Sequence, residues 1–473
     1  MALGSRKDAR QEALFVVPSQ LTVPGHPFYE RVGRLLAEHD FDRFCEEQCA
    51  PHYAAVMGRP GLPPGNYFRL MMIGYFERLE SDRQIAWRVA DSLSLRAFLG
   101  LALDERTPDH STLSGTRRRL PLAVHQAVFA KVLAILAQAG LLRGETLGVD
   151  ATMVAANASL KQLRTRLDGQ SYTAYVRELM AQDPAAPKDP TAEDVGRYDR
   201  RRRGKKLSNA DWHNPHNPEA RLGRMKDGRT RFCEKVEHAV DLTTGAVVGV
   251  TVQPGDTGDP QSVLATLAEA AHQLGEVKAE LAAQQAEQPR APGRPPARRL
   301  VAEVVADKGY HSDETCRVLQ DLGCRTYLSE PARGRRRWRG KAAEQAAVLA
   351  NRRRIRGERG KRLLRQRGEL LERPFAHYLD GGGLRRMHLR GHENITKRLL
   401  VHVAGFNLGL ALRQLCGAGT PRACAALLRA LSAAFWRRLA PLAAFTALLL
   451  RPWRQPANEL TPPNFRRDSL QAA

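Results

Sequence analysis

Nine residues between Val304 and Ser312 limit the possible fold more than any other stretch. Val304 to Ala306 are apolar and predict a short buried strand, and Asp307 follows where that strand ends. Gly309 permits a turn, and Ser312 followed by two acids is the pattern of a helix start. A strand that ends in Asp and turns into a helix places a carboxylate at the edge of an α/β sheet. Taken alone, such an Asp more often caps a loop than acts on a substrate.

The pattern of the chain changes near Thr146. Before it, residues 26–141 carry apolar side chains at helical spacing and predict a bundle of short helices, preceded by an irregular leader at residues 1–25. After it, Leu147 to Val154 form an apolar strand pattern with Asp150 in the middle. A charged carboxylate inside such a run is costly to bury, so Asp150 needs a partner, either a metal ion or a contact at the strand's edge.

The elements after the first strand predict one mixed α/β sheet in a domain at residues 145–415. A polar, basic insertion at residues 157–230 separates the first strand from a β-hairpin. A helix and a flexible linker at residues 284–299 then precede the strand that ends at Asp307. This order predicts an antiparallel hairpin at the front of the sheet and parallel strands behind it. A helical tail that frays is predicted at residues 416–473.

Positive charge predicts a polyanionic partner. The chain has 74 Lys and Arg against 50 Asp and Glu, a net charge of +24. Residues 333–373 hold 16 Lys and Arg and 4 Glu, so one short segment carries half of that net charge. Such local charge favours a surface that binds nucleic acid or an anionic membrane. The DNA contacts predicted from this segment are Arg335, Arg336, Trp338, Arg353, Arg365 and Arg367.

A second basic run, Arg117 to Arg119, lies in the N-terminal bundle. Short helices with such a run can form a helix-turn-helix reader of DNA, in which Arg117 and Arg118 would contact the duplex. The alternative is a scaffold or dimerisation bundle with these arginines on its solvent face. The segment at residues 26–141 is therefore a predicted DNA-binding or dimerisation domain.

Cysteines and hydropathy argue against a secreted or membrane protein. The seven cysteines are scattered and show no zinc spacing, which favours a reduced compartment. The first ten residues lack the apolar core of a signal peptide. The most apolar stretch, Leu439 to Leu450, is too short to span a bilayer. We therefore expect a cytoplasmic, nucleoid-associated protein without a membrane partner.

Acids far apart in sequence can meet to cut a phosphodiester bond. Two divalent ions held by a few carboxylates activate the nucleophile and stabilise the leaving oxygen, and Mg²⁺ prefers such oxygen ligands. Asp150 and Asp307 are the first two candidates. A third acid should come from the helical region after the last strand, where Glu372 and Glu369 are three residues apart. Spacing alone does not separate either glutamate from an ordinary surface residue.

Eight short motifs run through the chain: Pro24–Tyr29, Gly58–Gly61, Arg106–Leu113, Gly148–Thr152, Lys226–Thr230, Glu237–Asp241, Ala306–Tyr310 and Arg385–Gly391. Together they resemble the bacterial insertion-sequence transposases of the DDE type, from about Pro24 to Arg413. The resemblance implies a ribonuclease-H-like catalytic domain that cleaves DNA at the ends of an insertion sequence and transfers the strands into target DNA. It implies two Mg²⁺ ions, with Mn²⁺ as a substitute, and a homodimer bound to the terminal inverted repeats and to target DNA.

The resemblance also assigns residues. It places the catalytic, metal-binding acids at Asp150, Asp307 and Glu372, the last from its setting between Leu371 and Phe375. The family's Arg one turn before the Glu is matched loosely by Arg365 or Arg367. Its Lys two turns after the Glu is absent, and the contact to terminal phosphates falls to Arg385 or Arg386. Two other functions stay open: an inactive DNA-binding protein derived from a transposase, and a metal-dependent nuclease that does not join strands.

Overall fold

The computed structural model of the protein describes residues 25–54, 58, 60–203, 208–287, 297, 299–332, 334 and 336–449. Nearly all of the predicted leader and most of the predicted linker at 284–299 lie outside these residues. Residues up to Pro421 form one compact unit, and residues from Arg422 form a second one. The second unit contains most of helix α15 (Pro421–Leu449), in the predicted helical tail.

Helices make up the described part of the chain before Thr146, as the sequence predicts. They are α1 (Pro27–Glu38), α2 (Phe41–Cys49), α3 (Pro64–Glu77), α4 (Asp82–Ala90), α5 (Leu93–Phe98), α6 (His110–Arg119) and α7 (Leu122–Gln138). Local chemistry fixes several of the starts: proline occupies the first turn of α1 and α3, and Ser81 and Gln84 form a capping box at α4. Helix α3 is buried on nearly every side, because α2 and a later helix at His392–Cys416 pack around it.

A six-stranded mixed sheet forms the second part of the same unit. Its strands are β1 (Thr146–Ala155), β4 (Arg221–Arg224), β5 (Thr230–Asp241), β6 (Val247–Pro254), β7 (Glu303–Ala306) and β8 (Arg325–Leu328). Strand β5 pairs antiparallel with β1 and with β6, while β1, β7 and β8 run parallel. The predicted order, an antiparallel hairpin joined to parallel strands, is the order observed.

The insertion is more ordered than the sequence indicates. It contains α8 (Tyr172–Ala181), α9 (Ala192–Arg201) and a two-stranded sheet of β2 (Arg164–Thr165) and β3 (Trp212–His213). Helix α9 forms although it is charged over most of its length, and it is capped by Thr191 and Asp194. Strand β4, also placed in the insertion by its polar residues, pairs with the first four residues of β5. The main sheet therefore begins before residue 230.

Helices cover both faces of the sheet. They are α10 (Asp259–Glu287), α11 (Asp313–Asp321), α12 (Ala342–Arg356), α13 (Glu358–Phe375) and α14 (His392–Cys416). Lys235 and Glu237 of β5 point toward α10, and the alternate residue His238 points toward the end of α13. Helix α13 continues as a π-helical turn at Ala376–Gly381.

One helical stretch, His392–Ala440, has the length and hydropathy of a membrane span. Within its most apolar window, 72% of the residues are buried inside the protein. In the first unit this stretch is α14, which packs against α3, α7 and β6. A helix in the core of a protein is also long and apolar. The packing of α14 therefore explains its length and hydropathy.

Candidate active site

Asp150 and Asp307 meet at one edge of the sheet. The parallel register pairs Thr146 with Glu303 and Gly148 with Val305. Continued by two residues, that register sets Asp150 level with Asp307, and side chains at paired positions point to the same face. We call this pair of carboxylates, together with the arginine described next, the acidic edge.

Arg367 of α13 lies between the two carboxylates. Its Nη2 is 3.1 Å from Asp150 Oδ1 and 3.7 Å from Asp307 Oδ2. The Arg367 side chain is 18% exposed, and its Nε is buried without a hydrogen-bond partner among the described residues. Two carboxylates therefore share one guanidinium, which leaves the acidic edge with one excess negative charge.

The backbone fixes each aspartate further. Asp307 caps a short 3₁₀ turn at Lys308–Tyr310, where its Oδ1 accepts from the Gly309 N–H at 2.8 Å. Asp150 Oδ1 accepts from the Ala151 N–H at 3.0 Å. Burial raises the pKa of the Asp150 carboxyl above its usual range; the Asp307 charge adds to that effect, whereas Arg367 and the Ala151 N–H oppose it. A carboxylate in this setting gains from a bound cation.

Apolar packing holds α13 against the sheet next to the acidic edge. Leu371 fits over Gly148, where a Cβ would come within 2.5 Å of the Leu371 Cδ1. One turn later, the Phe375 ring stacks on His238 of β5, with centroids 3.7 Å apart. Tyr378 Oη and His238 Nδ1 are hydrogen-bonded at 2.9 Å, and burial lowers the pKa of His238 to about 3, so this imidazole is neutral at physiological pH. These contacts set which side of α13 faces the sheet.

Glu372 and Glu369 do not share that side. Both side chains are exposed, and within the described residues neither makes an ion pair with Arg367. In a helix with 3.6 residues per turn, Glu372 is about 140° around the axis from Arg367, and Glu369 about 200°. The structure thus brings Asp150 and Asp307 together and leaves the third acid on the flank or far side of α13.

The predicted DNA contacts differ in exposure. Arg118, Arg353, Arg365 and Arg386 are exposed, while Arg335 lies outside the described residues. The remaining members of the set, Arg117, Arg336, Trp338, Arg367 and Arg385, are at least partly buried. A partly buried arginine that is already paired is less available to a phosphate than a solvated one.

The partners of these partly buried arginines are protein groups. Arg117 is paired with Asp82, and Arg336 is paired with Asp313 while stacking on Trp338 with its Cζ 5.3 Å from the ring centroid. Arg385 is paired with Asp380 and donates to Thr152 Oγ1 at 3.0 Å. Of the two arginines considered for the position before the glutamate, Arg367 is at the acidic edge and Arg365 is exposed to solvent.

A buried polar network behind Asp307 was not predicted. Glu237 is fully buried and accepts from Ser262 Oγ at 2.7 Å and from Tyr310 Oη at 2.8 Å. Lys235 Nζ donates to Ser262 Oγ at 2.8 Å and to Asp259 Oδ1 at 2.6 Å. The signal available in the sequence was the Lys-x-Glu spacing in a predicted strand, which puts both charges on one face. The network anchors the turn that carries Asp307 through Tyr310.

The donor set of the acidic edge suits a divalent cation. Two carboxylates, completed by water and phosphate oxygens, are ligands that Mg²⁺ accepts. One guanidinium neutralises only one of the two carboxylates. Among the described residues, however, no three His, Cys, Asp or Glu side chains are grouped closely enough to hold a metal ion. Asp150 and Asp307 would therefore supply the first protein ligands.

Two regions of the chain match known families. Residues 18–119 match a transposase domain (DUF772), and residues 210–408 match the transposase DDE domain. Asp307 and Glu372 lie inside the second match, and Asp150 lies between the two. Neither the curated proteins nor the solved structures contain a match to the chain. Both family matches name transposases, which confirms the resemblance: the chain belongs to the DDE-type transposases of insertion sequences.

Proposed function

We propose that this transposase cuts DNA at the ends of its insertion sequence and joins the freed 3′ ends to target DNA. The observation that carries the proposal is the convergence of Asp150 and Asp307, 157 residues apart in sequence, on one arginine at the sheet edge. Both reactions are in-line displacements at phosphorus, so one site can serve both.

The topology supports a ribonuclease-H-like catalytic domain. Three antiparallel strands, β6, β5 and β1, are followed across the sheet by the parallel strands β7 and β8. The two aspartates come from the central strand β1 and from the end of its parallel neighbour β7. A helix, α13, crosses beside them and carries the candidate third acid.

Each residue has a proposed role. Asp150 and Asp307 would hold two Mg²⁺ or Mn²⁺ ions, whose chemistry would be to activate a water or the 3′-hydroxyl of the DNA and to neutralise charge on the phosphate. Glu372 would complete the ligand set from α13, for which its exposed side chain must turn toward the sheet. Arg367, already beside both carboxylates, would orient the scissile phosphate through its planar guanidinium.

The remaining proposals concern partners and location. Exposed Arg118, Arg353, Arg365 and Arg386 would bind phosphates of double-stranded DNA at the terminal inverted repeats and the target. A homodimer would hold the two ends in the synaptic complex, and the protein would be cytoplasmic and associated with the nucleoid. The overall charge of +24 supports a DNA partner.

A cleavage and strand-transfer assay on the DNA that flanks the gene tests the function. Asp307→Asn should lower Mg²⁺-dependent end cleavage by about a thousandfold, as expected for loss of a group that stabilises transition-state charge, and should leave end binding intact. Asp321→Asn, an exposed change on α11, is the matched control and should cleave normally. Cleavage by the Asp307 variant at the wild-type rate would remove Asp307 from the site.

The same assay separates the other possibilities. A nuclease would cleave without joining, and an inactive derivative would bind the ends without cutting them. Glu372→Gln should lose cleavage and Glu369→Gln should keep it. The opposite result would assign the third carboxylate to Glu369.

A further inference from the structure

A cavity of about 430 Å³ lies where the N-termini of α4 and α6 meet α14 and the segment 384–389. Its lining includes Arg83, Arg117 and Arg398 together with the carboxylates of Glu80 and Asp82. The segment 384–389 also lines it, with apolar side chains at Leu384 and Met387. We call it the basic cavity. Its volume is within the range of small-ligand sites, which begins at about 300 Å³.

Two buried arginines in the basic cavity share one carboxylate. Arg117 and Arg398 are each 3% exposed. Arg117 binds Asp82 through both guanidinium nitrogens, at 3.1 and 2.5 Å, and Arg398 Nη1 reaches Asp82 Oδ1 at 3.3 Å. The other contacts of Arg398 are neutral: the Leu79 carbonyl and the Met71 sulfur, both at 3.1 Å. The pair therefore keeps one positive charge that its carboxylate does not neutralise.

Neighbouring residues accommodate the two buried arginines. Burial lowers the pKa of Arg398 to about 10; Asp82 opposes the effect and the nearby Arg117 adds to it. Gly74 of α3 leaves the space that the guanidinium occupies, since a Cβ there would come within 2.9 Å of Arg398 Nη2. An excess charge in a buried place is stabilised by a ligand of opposite sign.

Arg83 gives the basic cavity a cation that solvent can reach. Its side chain is exposed, and its Nη2 is 3.2 Å from His110 Nε2. Ser111 and Ser114 of α6 add hydroxyl groups to the lining. Guanidinium groups with several parallel N–H donors, next to hydroxyls, match the oxygens of a phosphate.

The basic cavity is attached to the strand that carries Asp150. Ala155, the last residue of β1, receives a hydrogen bond from the Met387 N–H at 2.8 Å and donates to the Arg385 carbonyl at 2.9 Å. A strand rises by about 3.3 Å per residue, so the five steps from Asp150 to Ala155 span about 17 Å. Phosphates along one DNA strand are about 3.4 Å apart along the helix axis, so a strand at the acidic edge can reach the cavity within a few nucleotides.

We propose that the basic cavity binds the phosphate of one nucleotide, and that the DNA strand held at the acidic edge supplies it. Arg83, Ser111 and Ser114 bind the phosphate, the excess positive charge of Arg117 and Arg398 stabilises it, and Leu384 and Met387 pack against the sugar or base. The DNA source rests on the proposed function; the phosphate site itself does not.

Binding of thymidine 5′-monophosphate to the full chain, measured by titration calorimetry, tests the site. Thymidine and inorganic phosphate are the comparison ligands, and the nucleotide should bind more tightly than either. Arg83→Gln should weaken nucleotide binding about tenfold, because a hydrogen bond between charged groups is lost. Arg88→Gln is the matched control, since Arg88 is exposed on the same helix and paired with Glu77 outside the cavity. Arg398→Met should also weaken binding, and if it does not fold, Arg83→Gln decides.

Equal affinity for thymidine and its monophosphate, or equal weakening by the Arg83 and Arg88 changes, would overturn the proposal. Inorganic phosphate that binds as tightly as the nucleotide would show a free-anion site instead. An end duplex should displace the nucleotide, and nucleotide binding that DNA does not displace would reject DNA as the source. Asp307→Asn should bind the nucleotide normally. If the wild-type protein binds the nucleotide but does not cut DNA, the proposed function fails while this site stands.

Discussion

At the acidic edge two carboxylates share one arginine, whereas in the basic cavity two arginines share one aspartate. The acidic edge has one excess negative charge, and the two arginines with Asp82 have one excess positive charge. The first suits a cation and the second an anion, and a DNA substrate with its metal ions offers both. The difference is depth: the Asp150 and Asp307 side chains are 22% and 42% exposed, while those of Arg117 and Arg398 are 4% and 3% exposed. Water screens the acidic edge more, so changes in the cavity should cost more stability.

The largest effect on stability should come from Asp82→Asn. It leaves two buried guanidiniums without a carboxylate, and breaking a buried pair in this way costs about 3–5 kcal/mol of unfolding free energy. Urea unfolding at neutral pH measures the loss. Asp91→Asn, an exposed change at the C-terminal end of α4, should stay within about 0.5 kcal/mol of wild type. If both variants lost the same amount, the shared-carboxylate account of the cavity would be wrong.

Arg367→Gln should have a smaller effect, of about 1–2 kcal/mol, because its partners are partly solvated. The variant should also gain more thermal stability from added Mg²⁺ than wild type does, since the two carboxylates then lack a counterion. Arg365→Gln is the control on the same helix, where the side chain is exposed. If added Mg²⁺ raised the thermal stability of wild type and Arg367→Gln equally, Arg367 would not be acting as a counterion in place of Mg²⁺ at the acidic edge.

The smallest effect is a pH dependence of stability at a histidine–glutamate pair between α14 and β5. His392, at the start of α14, is 2.6 Å from the buried Glu234 of β5. Burial acts to lower the pKa of His392, but Glu234 raises it above its usual range overall. The folded pKa therefore exceeds the unfolded value of about 6.5. The stability it contributes is present below pH 6.5 and is lost as pH rises through the folded pKa.

Unfolding free energies of wild type and His392→Gln, compared between pH 6 and pH 8.5, measure that contribution. Wild type should lose up to about 1 kcal/mol over this interval, and the variant should show a flatter profile. His272→Gln, at an exposed position on α10, should behave as wild type does. If the unfolding free energies of wild type and His392→Gln changed with pH in parallel, the His392–Glu234 pair would not be the cause of the pH dependence.

The strand pattern predicts that the two aspartates lie close together. The helix pattern left open which residues of α13 face them. Parallel strands share one edge and one register, so an Asp in β1 and an Asp after β7 had to lie close together. On α13, the choice between Arg365 and Arg367 depends on which side faces the sheet. The four-residue spacing of Leu363, Arg367, Leu371 and Phe375 contains that signal, because it places Arg367 inside an apolar stripe. Glu372 lies outside this stripe, and it was selected by the resemblance rather than by spacing.

The basic cavity could not be predicted from the sequence. Asp82, Arg117 and Arg398 come from three helices separated by up to 316 residues, and no local pattern links them. The basic run at Arg117 to Arg119 indicated surface contacts, yet Arg117 turns inward to Asp82 while Arg118 remains exposed. Charge in a sequence thus shows that an anionic partner is expected, and tertiary packing decides which arginines can meet it.

The central prediction is that the acidic edge binds divalent cations. Mn²⁺ binding to the full chain, followed by electron paramagnetic resonance in the presence of an end duplex, measures this without requiring cleavage. Wild type should bind Mn²⁺, Asp150→Asn and Asp307→Asn should each lose most of that binding, and Asp321→Asn should retain it. Wild-type levels of bound Mn²⁺ in both aspartate variants would contradict the account.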